Sequence, residues 1–251
     1  MTTNEFDLEF DVLYDSIASL GAPDLDKYEK SVFLTKAQLE LVKEVNGNQN
    51  KYGTSFEGSD KRRADMRELI KNTSITPVKN ITSGLSLGYS YTADLPSDAF
   101  LIKYEAGHYS DSCGEHVIDI KPLKYDEYHE MMRNPFRKPD YQNGFRLDIE
   151  SLKSTILGVD TYTKRVELIS TKPIASYQLR YIKYPTPIVL TDLSGISGSD
   201  TLLVDGVSVE TQCRLDQQFH REILDRAVQL AMLAYKPESL GPKVQLDQRN
   251  N

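Results

Sequence analysis

The stretch "LDQQFHREILDRAVQLAMLAYKP", residues 215–237, has the clearest helical pattern in the chain. Its apolar residues recur at three- and four-residue intervals, which places them on one face of an α-helix. That face contains Phe219, Ile223, Ala227, Leu230, Ala231 and Ala234. Pro237 cannot continue the helix, so we expect the helix to end there. The question is whether this helix contributes catalytic or metal-binding residues or has only a structural role.

Two polar residues of the stretch, His220 and Glu222, form an H-x-E pair of the kind found in zinc deaminases. Those enzymes complete the metal site with a downstream P-C-x-x-C, which this sequence lacks. Residues two apart on a helix also point in different directions. We therefore expect a structural helix, with His220 and Glu222 on its solvated face.

The N-terminal third of the chain has a similar helical pattern. In "NEFDLEFDVLYDSIASLG" the residues Phe6, Phe10 and Tyr14 form one stripe, which predicts a helix ended by Gly21. Two short helices are predicted near 25–33 and 36–45, separated by a capping box that starts at Thr35. The segment "SDKRRADMRELIKN" predicts a further helix over about 61–71.

From about residue 75 the pattern changes to that of strands. The strand-like segments are rich in β-branched and aromatic residues, and Gly, Pro, Asn or Asp separate them. They are "AFLIKYEAGHY", "EHVIDIKPL", "GFRLDIES", "KRVELISTK" and "SYQLRYIKYPTPIVL". In the last of these, Pro185 and Pro187 predict an edge position in the sheet, because proline cannot donate to a ladder.

These patterns predict an α+β fold in which both chain ends form a helical bundle around an inserted β-rich region. The bundle would comprise 1–74 and 211–237, and the inserted region would span 75–210. The last residues, 238–251, have little to bury and are expected to form an extended tail.

Composition limits the classes of function. The net charge is −7, which argues against nucleic acid as the main ligand but allows a local basic patch. The two cysteines, Cys113 and Cys213, cannot form a disulfide framework. We expect no signal peptide, because the first residues are acidic, and no membrane span, because no apolar run reaches about 18 residues.

No motif in the sequence completes an active site, so we expect neither an enzyme nor a bound cofactor or metal. "HEMMR" has Arg133 where H-E-x-x-H requires the second histidine. Cys113 and His116 have C-x-x-H spacing but lack a second pair of ligands. Nucleophile elbows and phosphate-binding glycine loops are absent. A hydrolase that uses carboxylates which sequence cannot pair remains an alternative.

Two basic segments are candidate interfaces. Arg62, Arg63 and Arg67 belong to the predicted 61–71 helix, where they form either a solvated face or a contact with an acidic protein or DNA. In "RNPFRKPD", prolines constrain the backbone around Phe136, which lies between Arg133 and Arg137. This second segment is either a protein–protein anchor or a packing turn.

Taken in order along the chain, several of these segments resemble one known family. They are "NEFDLEFDVLYDSIAS", "DKYEKSVFLTKAQLELV", "RNPFRKP", "LRYIKYPTPIVL" and "LDQQFHREILDRAVQLA". Together they resemble the structural ring proteins of crAss-like bacteriophages, which are similar in architecture to the head-to-tail adaptors of short-tailed phages. The resemblance covers about 4–235.

The resemblance implies a ring, generally of twelve copies, that connects the portal protein to the tail. Such a ring extends the DNA channel, lets DNA pass without specific binding, and docks other tail or ring proteins. It would belong to the virion and would be made in the host bacterial cytoplasm. The alternatives are another tail or capsid accessory protein of the virion, or a DNA-binding protein that uses the 61–71 helix.

Overall fold

The computed structural model of the chain describes residues 1–18, 24–46, 66–80, 88–156, 159–194 and 202–235. These residues form four α-helices: α1 (Thr3–Ala18), α2 (Lys27–Asn46), α3 (Tyr128–Arg133) and α4 (Gln217–Tyr235). They also form eight strands: β1 (Ile70–Ile75), β2 (Val78–Lys79), β3 (Tyr89–Asp94), β4 (Ala99–Asp111), β5 (Gly114–Pro122), β6 (Asn143–Ile156), β7 (Val159–Ser170) and β8 (Ser176–Lys183). Short 3₁₀ turns lie at Arg67–Leu69 and Tyr125–Glu127.

All eight described strands join one mixed, curled sheet in the order β1-β8-β4-β5-β6-β7-β3-β2. Each neighbouring pair is antiparallel except β5 and β6, which run parallel. The parallel pair needs a crossover, and the segment that contains α3 supplies it. The crossover is where "RNPFRKPD" lies, so the topology fixes the position of this candidate interface.

The predicted fold class, a helical bundle from both chain ends with an inserted β-rich region, is wrong. The architecture is a β-rich, half-barrel sheet with four described helices. The terminal helices do not pack only on one another, because α2 also packs against non-helical residues in the described ranges 188–194 and 202–207. There the buried residues Val189, Leu193 and Val204 form a cluster with Tyr28 of α2. Helical periodicity identified the helices but could not reveal this irregular partner.

The chain divides into two compact units. The first comprises Met1–Leu69 and Pro185–Asn251, and the second comprises Ile70–Tyr184. The second unit holds the whole sheet, whereas the first holds α1, α2 and α4. The boundaries predicted from sequence were 74 and 211, and the tail predicted at 238–251 lies outside the described residues.

The helix predicted over 61–71 does not form in its described part. Residues Arg67–Leu69 make a 3₁₀ turn, and strand β1 begins at Ile70. Along β1, Ile70 pairs with Ile182 of β8, and its neighbour Lys71 forms a 3.1 Å ion pair with Asp98. Sheet pairing with a distant strand therefore overrides the local helix preference of this segment.

The capping box predicted at Thr35 is also wrong, because α2 is one continuous helix. The helix is capped at Asp26, nine residues before Thr35, by reciprocal bonds between Asp26 and Glu29. Thr35 lies inside α2, where its hydroxyl donates to the carbonyl of Ile188 at 3.2 Å. The same hydroxyl accepts the Ile188 backbone N–H at 3.1 Å. Thr35 thus anchors the non-helical segment to α2.

We expect Thr35→Val to lower the free energy of unfolding of the first unit by about 2–6 kcal/mol. The substitution keeps the volume but leaves two buried backbone groups of Ile188 unpaired, at about 1–3 kcal/mol each. Urea denaturation would measure the change. Thr35→Ser, which keeps the hydroxyl, should retain most of the stability. Equal losses in both variants would contradict this role of the hydroxyl.

The core of the second unit lies against strand β8. Tyr177, Leu179 and Tyr181 alternate along it and are buried in one hydrophobic cluster, as the two-residue period predicts. The edge position predicted for this strand is wrong, because β8 pairs with β1 on one side and β4 on the other. Its prolines follow the strand after Lys183 and therefore remove no ladder hydrogen bond.

Candidate assembly interface

Helix α3 is short, and buried contacts fix it to the sheet. Tyr128, at its first residue, packs with Leu147 and Ile169 in a small buried cluster. The partly buried Leu123 and Met132 complete this contact. A six-residue helix would not be stable alone, so this packing determines where the following loop begins.

The loop after α3 is held by hydrogen bonds at its start. The Asn134 side-chain Oδ1 accepts the backbone N–H of Phe136 at 3.0 Å, forming an Asx turn. The Asn134 carbonyl accepts the N–H groups of Arg137 and Lys138 at 3.1 and 3.0 Å. These bonds close one turn and leave the Phe136 side chain on its outside.

The end of the loop is held by Asp140. Its Oδ1 accepts the backbone N–H groups of Gln142 and Asn143 at 2.7 and 2.6 Å. Its own carbonyl accepts the Thr171 hydroxyl at 2.7 Å. Burial alone would raise the pKa of Asp140, but these backbone N–H donors, the Asn143 side chain and the Lys121 ammonium together hold the pKa below its usual value. The loop is therefore fixed at both ends before any partner binds.

The loop presents a large apolar side chain among unpaired positive charges. Phe136 is 96% exposed, and Arg133, Arg137 and Lys138 are exposed beside it in sequence. Within the described residues, none of the three cations has a carboxylate partner. We call Arg133, Phe136, Arg137 and Lys138 the basic loop. Burying a phenyl group contributes roughly 2–3 kcal/mol, so an exposed one on a fixed turn is suited to bind a partner.

The remaining candidate residues do not join this group. Arg67 is exposed in the 3₁₀ turn of the first unit. Arg62 and Arg63 lie outside the described residues. Of the predicted interface residues, Arg133, Phe136 and Arg137 therefore belong to one loop. Arg67 lies in a 3₁₀ turn and not in the predicted α-helix.

A second exposed apolar surface was missed from sequence. On the outer side of α1, Leu8 and Val12 are 67% and 68% exposed. They are four residues apart, so they are neighbours on one face of the helix. Glu9 and Asp15 are exposed on the same side. The available signal was that both apolar residues lie off the stripe formed by Phe6, Phe10 and Tyr14.

The prediction that His220 lies on a solvated face is wrong. Its side chain is buried, with 5% exposed, and packs on Phe6 at 5.3 Å between ring centres. Nδ1 lies 2.6 Å from the Met1 amine, and Nε2 lies 2.9 Å from the Leu215 carbonyl oxygen. The neutral tautomer that carries hydrogen on Nε2 satisfies both contacts, so the role of this histidine is structural.

We expect acidification to destabilise the first unit through His220. Burial, followed by the nearby Met1 ammonium, lowers the pKa of His220 below 6.5. The unfolded chain therefore binds the proton more tightly, and stability falls as pH drops from 6.5 toward the folded-state pKa. The slope can reach about 1.4 kcal/mol per pH unit. His220→Gln should flatten the stability profile in that window, and an unchanged profile would contradict the assignment.

Among the described residues, Glu105 is a buried carboxylate with a raised pKa. A raised pKa is one criterion for a catalytic group. Burial raises its pKa, and the Arg146 guanidinium only partly offsets this. However, Oε1 accepts from Arg146 at 2.6 Å and Oε2 accepts from Tyr177 at 2.5 Å. Arg146 Nε also lies 3.2 Å from Asp148, without hydrogen-bond geometry. With both oxygens occupied, Glu105 is built into a structural network.

Other features of the described residues do not indicate a catalytic or metal site. An open groove of about 440 Å³ is lined by Asn72, Thr73, Ser74, Tyr104, Gln178, Leu179 and Arg180, with no carboxylate among these residues. In the described ranges, no three His, Cys, Asp or Glu side chains are grouped to hold a metal. Among the described helices, none has the length and apolar content needed to cross a bilayer.

Comparison with known proteins identifies the family. A family model described as phage tail ring protein 3/4, of crAss-like phages, matches residues 1–241. The chain belongs to this family. The match includes both units and the basic loop, so it does not rest on one motif.

Two curated relatives of this ring protein come from Bacteroides phage crAss001. One, named ring protein 4/5, is 40% identical over 258 residues that cover all of both proteins. The other, named ring protein 3, is 36% identical over 248 residues, 97% of this chain and all of the relative. The resemblance stated from sequence is thereby confirmed: the chain is a structural ring protein of a crAss-like phage.

Proposed function

We propose that this protein forms a ring of twelve copies that connects the portal to the tail in the virion. The ring extends the DNA channel and docks other ring and tail proteins. Two observations support this proposal: similarity over the full length to two ring proteins of one phage, and the exposed, fixed basic loop. The loop is the main support for the proposal, because an exposed phenyl group on a fixed turn is suited to bind another protein. The sequence also contains no recognisable active-site motif.

The proposed connector acts by assembly and catalyses no reaction. Its chemistry is that of interfaces: an apolar anchor displaces water, and the flanking charges select a partner and exclude others. The overall charge of −7 favours a channel in which DNA moves without specific binding, since phosphates are repelled by acidic surfaces. Within the infected bacterium, the protein would be made in the cytoplasm and incorporated into the virion.

The contact with the portal is tested by mixing the purified protein with the portal protein of the same phage. We expect a complex with about a dozen copies of this chain, measured by light scattering and seen as a stacked ring by negative-stain imaging. Arg133→Glu/Arg137→Glu should alter assembly without altering the thermal unfolding of the monomer. A protein that forms rings but ignores the portal would instead be another ring or accessory protein of the virion.

A further inference from the structure

The chain carries two exposed apolar surfaces of opposite charge. The first is the basic loop, in the second unit. The second is the outer face of α1, in the first unit, which we call the acidic helix face: Leu8, Glu9, Val12 and Asp15. The basic loop exposes Phe136 among three cations, and the acidic helix face exposes Leu8 and Val12 beside two carboxylates.

The charges of the acidic helix face are available to a partner. The other acids of α1 are engaged: Asp7 and Asp11 bind the buried Lys30 ammonium at 2.8 and 2.7 Å, and Glu5 caps the helix through the Thr2 N–H. Glu9 and Asp15, in contrast, make no ion pair within the described residues. They therefore remain free to compensate cations brought by another molecule.

The apolar residues of the two surfaces also match. Leu8 and Val12 are both exposed and one helical turn apart, so they form an apolar patch about one turn long. A single phenyl group such as that of Phe136 fits a contact of this size. The arginines beside Phe136 would then lie over the carboxylates beside Leu8 and Val12. The basic loop and the acidic helix face are thus complementary both in charge and in apolar area.

We propose that the basic loop of one copy packs against the acidic helix face of the next copy around the ring. This inference rests on the proposed ring function and names the contact that would build it. A ring requires a heterologous interface, in which two different surfaces of one chain complement each other. The basic loop and the acidic helix face are such a pair, and their repetition closes a ring rather than a two-fold dimer.

The observations favour a second copy over nucleic acid as the occupant. Phosphates would satisfy the three cations of the basic loop, but they offer nothing to an exposed phenyl group fixed outward. The acidic helix face would repel DNA altogether. A contact between copies uses both surfaces and leaves neither its apolar residues nor its charges unmatched.

The test is a charge exchange between copies. The loop variant carries Arg133→Glu/Arg137→Glu, the helix variant carries Glu9→Lys/Asp15→Lys, and a third protein carries all four substitutions. Each exposed substitution should leave thermal unfolding close to that of the natural protein. Ring formation is followed by mass photometry over a concentration series, with the portal protein of the same phage present, so that rings requiring a template also form.

Each variant alone should require at least roughly a tenfold higher concentration to assemble, because like charges face each other at every contact. An equimolar mixture of the two variants should recover rings of alternating copies, since every contact then joins opposite charges. The protein with all four substitutions should also recover. A helix variant that assembles normally, or a mixture no better than its components, would overturn the pairing while leaving the ring function intact. If the natural protein forms no rings even with the portal, the ring function itself fails.

Discussion

Arg146→Met is expected to lower the free energy of unfolding of the sheet by about 3–5 kcal/mol at neutral pH. Arg146 and Glu105 side chains are only 11% and 5% exposed, so removing the cation leaves a carboxylate buried without its counter-ion. Breaking a buried pair in this way costs more than the pair contributes, because desolvation of the remaining charge is no longer offset. The network also joins β4, β6 and β8, so the loss should be felt across the sheet. Urea denaturation of the purified variant measures it.

A matched double variant separates the charge from the packing. Glu105→Gln/Arg146→Met removes both charges, and the Gln side chain can still accept the Tyr177 hydroxyl. We expect this variant to be clearly more stable than Arg146→Met alone. If the two are equally unstable, the loss comes from the missing arginine stem and not from an isolated carboxylate.

The stability of the single variant Arg146→Met should also depend on pH. The pKa of Glu105 is raised above 4.5 by burial, and loss of Arg146 removes an influence that lowers it. A raised folded-state pKa gives stability below pH 4.5 that is lost as pH rises through the folded value. The deficit of Arg146→Met relative to the natural protein should therefore shrink as the solution is acidified. A deficit independent of pH would show that Glu105 is already neutral.

Phe136→Ala is expected to abolish ring assembly while leaving the monomer folded. A buried aromatic anchor at the centre of an interface contributes about 2 kcal/mol or more, roughly 30-fold in affinity, and a ring repeats that loss at every contact. Because Phe136 is 96% exposed in the single chain, its removal should leave thermal unfolding almost unchanged. Sedimentation velocity would separate rings from monomers in one experiment.

Tyr125→Ala is the control for this change. Tyr125 is also an exposed aromatic residue, at 56%, but acids follow it rather than arginines. We expect the Tyr125 variant to assemble like the natural protein. A Phe136 variant that unfolds would show that Phe136 belongs to the core, and one that assembles normally would remove it from the interface.

Sequence predicted the elements whose stability is local. The apolar stripes of α1 and α4 gave both helices within a few residues, and five of the strands followed from alternation and turn residues. These patterns persist because one face of each element is buried whatever its partner is. The amphipathic stripe does not say what that partner is, so the non-helical segment that Thr35 holds was assigned to the inserted β-rich region and not to the surroundings of α2.

The errors lie where distant parts of the chain decide the outcome. Glu68, Leu69 and Lys71 favour a helix locally, yet pairing of Ile70 with Ile182 makes a strand. The edge position assigned to β8 from its prolines failed for the same reason, since two strands from elsewhere in the chain flank it. His220 was predicted to be solvent-exposed. Its burial depends on Met1 and Phe6, more than 200 residues away in the sequence, which the local pattern cannot show.

The candidate interface was half predictable. The prolines and asparagine of "RNPFRKPD" indicated a constrained loop, and the structure places Phe136 outward on it. Leu8 and Val12 were not predicted as a surface: they lie off the apolar stripe of α1, but the sequence does not show whether another part of the chain covers them. Only the packing of Phe6, Phe10 and Tyr14 inward reveals which residues remain outside.

The most direct test of the account is the mass of the natural protein in solution, alone and with the portal protein, by mass photometry with negative-stain imaging. A ring-forming connector should give closed rings, either spontaneously or on the portal, with one narrow mass near twelve copies. A protein that stays monomeric under both conditions, across micromolar concentrations, would contradict its role as a ring-forming component of the virion.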